Sequence, residues 1–139
     1  ALSAELTRGD IPYNVTPEHT ASAKSILGAD KWLAVEQKVC LEKSPGEARA
    51  LARRELERYL GLPNYRQCWH NLGFSEADLD NGGSDRFIDA MVVWGNEDKI
   101  QQRLDEHFDA GATHVCIQPV HTPDDLDAAE KTLEALAPG

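Results

Sequence analysis

The spacing of apolar residues along this chain switches between a period of two and a period of three to four, and each switch marks an element. The clearest short-period stretch is WLAVEQKVCLEK. There Leu33, Val35, Val39 and Leu41 are strand formers placed just before a helix start, which predicts an inner strand over Trp32 to Lys43. A strand buried on both faces is apolar throughout, so Glu36 and Gln37 in its middle call for an explanation. An unpaired carboxylate in an apolar interior is costly. Either Glu36 finds a partner or the strand lines a site.

The remaining elements follow from the same periods and their punctuation. Ala1 to Arg8 carries helix formers without a cap and reads as the tail of a helix whose start is missing, and Gly9 to Val15 predicts a short strand in which Pro12 must sit where no N–H is needed. Thr16-Pro17-Glu18-His19 opens a helix, with Thr16 as N-cap, Pro17 in its first position and an acid in its first turn; the helix runs to Leu27 and stops at Gly28. Ser44-Pro45-Gly46-Glu47 reads as a capping box. Behind it Ala48, Ala52, Leu56 and Tyr59 or Leu60 recur at helical spacing until Gly61-Leu62-Pro63. A short helix over Asn64 to Leu72, one turn over Ser75 to Leu79, and a helix capped by Ser84 and running through Val93 come next. Asn96 caps Glu97 to Ala110, whose Ile100, Leu104, His107 and Phe108 form one stripe. His114 to Val120 is the last strand, and Thr122 to Asp125 opens a final helix with Leu126, Ala129, Leu133 and Leu136 on one face.

Strands separated by helical crossovers pair in parallel, so the pattern predicts an α/β protein with three parallel strands. Residues 1–139 form a single domain, with a helical insertion at about 61–84 above the sheet. Composition narrows the function classes. The net charge of -10, from 14 basic and 24 acidic residues, without clustered Lys or Arg, excludes nucleic acid as a partner. No apolar run is long enough to span a membrane and no charged-then-apolar leader is present, which predicts a cytoplasmic protein with no membrane partner. Cys40, Cys68 and Cys116 are widely spaced among apolar neighbours and are expected to be buried reduced thiols.

Five stretches stand in order over nearly the whole chain: IPYNVTPEHT (Ile11 to Thr20), LAVEQ (Leu33 to Gln37), YLGLPNY with LGF (Tyr59 to Phe74), GGSDR (Gly82 to Arg86), and VVWGNEDKI followed by AGATHVCIQPV. Together they resemble the C-terminal part of the luciferase-like oxidoreductases, and more narrowly the branch that uses a deazaflavin coenzyme. The resemblance implies the C-terminal portion of a (β/α)8 TIM-type barrel, a fold of about 250 residues. Gly9 to Val15, Trp32 to Lys43 and His114 to Val120 would be its sixth, seventh and eighth strands, and the first five would be absent. It further implies hydride transfer to, or monooxygenation of, a small organic substrate, with coenzyme F-420 or FMN performing the reaction. Three parallel strands cannot close a barrel. Their open edges would be covered either by association into a homo-oligomer or by the missing N-terminal half.

A barrel site lies at the carboxyl ends of the strands, with phosphates near the last two loops. That rule selects Tyr13, Asn14, Thr16, Glu18 and His19 after the first strand, Glu36, Gln37 and the turn Gly82, Gly83, Ser84 and Arg86 within or after the second, and Gln118 and His121 after the third; of these Tyr13, Thr16, Gln118 and the turn are the cofactor-binding candidates. In the turn, two glycines let the backbone approach a phosphate, a helix start offers N–H groups and Arg86 adds charge; the competing reading is a flexible loop with a Ser cap, and Asp85 opposes an anion. His19 is a catalytic acid–base candidate beside Glu18, against an exposed histidine in a first turn. Glu36 is the second catalytic candidate, pointing into the barrel as the resemblance implies. His114, Cys116 and His121 match no metal spacing. Tyr65 and Trp69 either cap a flat ring system or join the core. A non-catalytic self-associating half-barrel and a small phosphate-binding module are the other readings these residues allow.

Overall fold

The computed structural model describes residues 2–137. Its elements are α1 (Leu2–Leu6), β1 (Gly9–Asp10), α2 (Pro17–Leu27), β2 (Trp32–Cys40), α3 (Pro45–Leu60), α4 (Pro63–Asn71), α5 (Glu76–Leu79), α6 (Asp85–Met91), β3 (Val92–Trp94), α7 (Glu97–Asp109), β4 (His114–Pro119) and α8 (Leu126–Ala135). The protein is α/β, with every strand pair parallel.

β2 is the hub, because every other strand pairs with it. Its odd-numbered residues bond toward β4: Leu33 O accepts from Thr113 N, and Val39 O from Val120 N. Its even-numbered residues bond the opposite way, as Trp32 N donates to Arg8 O, Glu36 N to Pro12 O, and Cys40 O accepts from Gly95 N. β1 and β3 therefore share one edge of β2, at its start and its end, while β4 runs along the whole of the other. Only glycine fits at position 9, where a Cβ would overlap the Trp32 carbonyl oxygen and lie 2.8 Å from the Trp32 Cβ.

The pleat of β2 sends its residues to two unlike faces. Leu33 and Val35 pack with Val15, Leu27 and Ala112, and Val39 packs with Val93, Ile100 and Leu104, with Leu136 against them. α2, α7 and the carboxyl end of α8, capped by Leu136, therefore cover this one face. The opposite face is covered only toward its carboxyl end, where Cys40, Val92 and Val120 meet Ala48, Ala52 and Leu56 of α3 and, beyond them, Trp69, Phe74 and Phe87. Nearer the amino end it is bare: Trp32 is 63% exposed, and His114 and Cys116 are exposed.

Several expectations change. β1 ends at Asp10, not Val15, since Pro12 has no N–H for a ladder and Asn14 takes a positive φ of 54°. The strands number four, not three: the helix expected to run through Val93 stops at Met91, and the β-branched pair Val92 and Val93 extends beside Lys38 and Val39. β2 ends at Cys40, short of Lys43. Ser44 starts α3 without a side-chain cap, its N–H going to Glu42 rather than Glu47. The reciprocal capping box forms at Ser75 and Asp78 instead. Phe108 lies outside the buried stripe of α7 at 47% exposure, and Leu126 and Leu133 of α8 are exposed while Thr132 is buried. Of the cysteines only Cys40 is buried, and Cys116 is exposed; all three are free thiols. Among the described residues no helix is long and apolar enough to cross a membrane.

Candidate functional site

Two residues apart on β2, Glu36 and Lys38 point to the same face, the one α3 closes. The Lys38 side chain is wholly buried, and its Nζ donates to Glu36 Oε1 at 3.1 Å, Gln118 Oε1 at 2.9 Å and the Tyr13 hydroxyl at 3.3 Å. A second ion pair joins it to Glu55 of α3 at 3.3 Å. The β2–β4 register sets Gln118 opposite Lys38, and the Gln118 amide donates to Glu55 at 3.2 Å while its carbonyl accepts from the Tyr13 hydroxyl. The second Glu36 oxygen accepts the Asn14 backbone N–H at 3.1 Å. The ammonium and the Glu36 carboxylate are thus paired in the interior, with the half-buried Glu55 as a further partner. Burial, with the Glu36 and Glu55 carboxylates nearby, pushes the Tyr13 hydroxyl above its ordinary pKa, so it is a protonated donor at neutral pH. Asn14 itself is buried, yet neither side-chain amide atom has a partner.

The fold thus brings Tyr13, Glu36 and Gln118 together and keeps the other candidates apart. Thr16 accepts the His19 N–H as the cap of α2. His19 shares no hydrogen bond with Glu36. It lines a separate cleft of about 200 Å³ with Ser3, Asp10 and Ser22, its Nδ1 is buried without a partner, and burial lowers its pKa although Asp10 opposes this. Glu18 is an exposed first-turn acid whose pKa is lowered chiefly by the Thr16 hydroxyl.

The turn Gly82, Gly83, Ser84 and Arg86 forms a second cluster around a carboxylate of the chain itself. Ser84 caps α6 by accepting from Phe87 N and donates to Asp78 Oδ1 at 2.8 Å, while Arg86 binds Asp78 Oδ2 at 2.8 Å. The Ser75 backbone, the Ser84 hydroxyl and the Ser75 hydroxyl, in that order, lower the Asp78 pKa to about 2. Tyr65 and Trp69 belong to a run of ring contacts from Tyr13 through Tyr59 to Phe87, with Trp69 fully buried and its Nε1–H on the Asn14 carbonyl at 3.0 Å.

Lys38 and Glu55 escaped the sequence reading, whereas Asn14 was among the residues expected after the first strand. Lys38 carried a usable signal, since a period of two places it beside Glu36 on one face. Glu55 had none, because α3 reads as an amphipathic helix with Glu55 on its polar side. Gln37, on the other face, joins a second buried chain: its Oε1 accepts from His107 Nε2 at 2.9 Å, and His107 Nδ1 accepts from the Thr20 hydroxyl at 2.9 Å. Burial lowers the His107 pKa to about 4, so the ring is neutral.

An open cleft of about 500 Å³ lies beyond the carboxyl ends of β2 and β4, lined by Cys40 and Leu41 on one side and Val120 and His121 on the other. No group of three or more metal-ligating side chains occurs among the described residues. The chain matches no protein-family model and no curated protein. Its fold and site define a parallel-sheet α/β protein with a buried carboxylate–lysine–tyrosine cluster on one sheet face.

Proposed function

We propose that this chain is the C-terminal part of a luciferase-like oxidoreductase that binds a flavin-type cofactor, coenzyme F-420 or FMN, and acts on a small organic substrate. The observation that carries this reading is the winding of the sheet. β1, β2 and β4 follow one another across the sheet, with the three-residue β3 beside the end of β2 on the β1 edge, and α2, α7 and the carboxyl end of α8 pack on one face. A barrel wall is wound in this way, with the helices that connect its strands outside; α3, on the carboxyl end of the other face, belongs on this reading to the segment that closes the mouth. The opposite face would be the barrel interior. It is bare around Trp32, His114 and Cys116, and it bears the Glu36, Lys38, Tyr13 and Gln118 cluster nearer the carboxyl end, where barrel chemistry sits. On this reading Tyr13 is the proton donor, Glu36 and Gln118 hold substrate or ring edge, and α3 to α6 close the mouth.

Titration of the chain with coenzyme F-420 and with FMN, followed by absorbance and fluorescence, tests the proposal. Saturable binding of one of them at micromolar concentration, weakened by Gln118→Ala, is expected. Binding of neither would overturn the assignment for this chain. A free β4 edge favours a second reading, a self-associating half-barrel, for which light scattering would give a defined oligomer that binds neither cofactor.

A further inference from the structure

The cleft beyond β2 and β4 owes its existence to a local change of direction. After β2 the chain enters α3, on the face of Cys40 and Val120; after β4 it enters α8, whose Leu136 packs on the other face with Val39. Side chains of both helices, Glu47 and Leu51 of α3 and Ala128 and Thr132 of α8, line the cleft between them, at the carboxyl ends of two adjacent parallel strands. Its volume, about 500 Å³, lies in the range of small-molecule sites.

The lining selects one chemistry. Cys40, Leu41, Leu51, Val120 and Ala128 make an apolar floor, and burial raises the Cys40 thiol to about 11, so the floor carries no charge at neutral pH. Around it stand Glu42, Glu47 and Asp125, against Lys131 and the imidazole of His121. Asp125 also caps α8, and one Glu42 oxygen accepts the Ser44 N–H at 2.7 Å, whereas among the described residues Glu47 has no side-chain hydrogen-bond partner. We infer that this cleft binds a small organic cation, a protonated amine on an apolar body, with the body on the Leu51 and Val120 floor and the ammonium at Glu47 and Glu42. The inference stands independently of the oxidoreductase reading.

Hexylammonium, hexanoate and hexanol are the probes, added to the whole chain while backbone amide resonances are followed. Hexylammonium is expected to shift Leu41, Leu51, Val120 and Thr132 and to bind more tightly than hexanol, with hexanoate weakest. Glu47→Gln, an exposed first-turn substitution that leaves the fold intact, is expected to weaken hexylammonium by about threefold and leave hexanol unchanged, the size expected of one solvent-open ion pair. Equal or tighter binding of hexanoate, an unchanged hexylammonium affinity in Glu47→Gln, or shifts confined to other parts of the chain would each overturn the inference.

Discussion

Lys38 and His107 answer the problem of burying an ionisable side chain in opposite ways. Lys38 is buried against two carboxylates, so Lys38→Ala leaves Glu36 buried without its partner and is expected to cost about 3–5 kcal/mol in a urea unfolding experiment. A loss below about 1 kcal/mol would mean that the pair is not closed off from water. His107 stays neutral. Its folded pKa of about 4 lies below the ordinary 6.5, so between those values the unfolded chain binds the additional proton. The stability this supplies is complete above pH 6.5 and is lost as pH falls toward 4, on the order of 3 kcal/mol in all. His107→Gln is expected to flatten that part of the stability–pH curve; an unchanged slope would assign it to other groups, with Glu18, His19 and Arg103 the charged neighbours.

The elements were legible wherever local chemistry decided them. Thr16 and Pro17 begin α2, the Ala48, Ala52, Leu56 and Tyr59 stripe is the buried side of α3, and Ser84 and Asn96 each cap a helix. Where two propensities competed, the partner strand decided. Val92 and Val93 continue the helical run of α6 on paper but pair with β2 in the fold, because an open edge beside Lys38 and Val39 offers their backbone a ladder. Two glycines near helix starts separate local freedom from packing. Gly83 has a φ of 93°, and a Cβ there would lie 2.9 Å from Phe87 Cδ1, so Gly83→Ala is expected to destabilise by more than about 1 kcal/mol. Gly46 has open space around it inside α3, and Gly46→Ala is expected to stabilise by about 0.5 kcal/mol, both read from thermal or urea midpoints. The reverse order would show that the tight turn before α6 relaxes.

At the scale of the molecule, the sheet has one fully covered face and one half-covered face, and cysteine chemistry reports the difference. Cys116 on the bare part is expected to react with a thiol reagent quickly in the native protein, and Cys40, beneath α3 with its pKa raised to about 11, only on unfolding. Slow labelling of Cys116 in the native state would mean that a second copy or another segment covers that face. The sequence by itself determined the parallel α/β class, the order of its three longer-read strands and most helix starts, because periodicity, caps and the separation of strands by helices are properties of neighbouring residues. It also marked Glu36 as a carboxylate needing a partner. Only the tertiary structure decided who that partner is, that Tyr13 and Gln118 join it while His19 and the Gly82 to Arg86 turn do not, and that the last helices wind on one face. Those facts depend on register and on which side of the sheet each helix returns, and both are set by contacts between residues far apart in the chain.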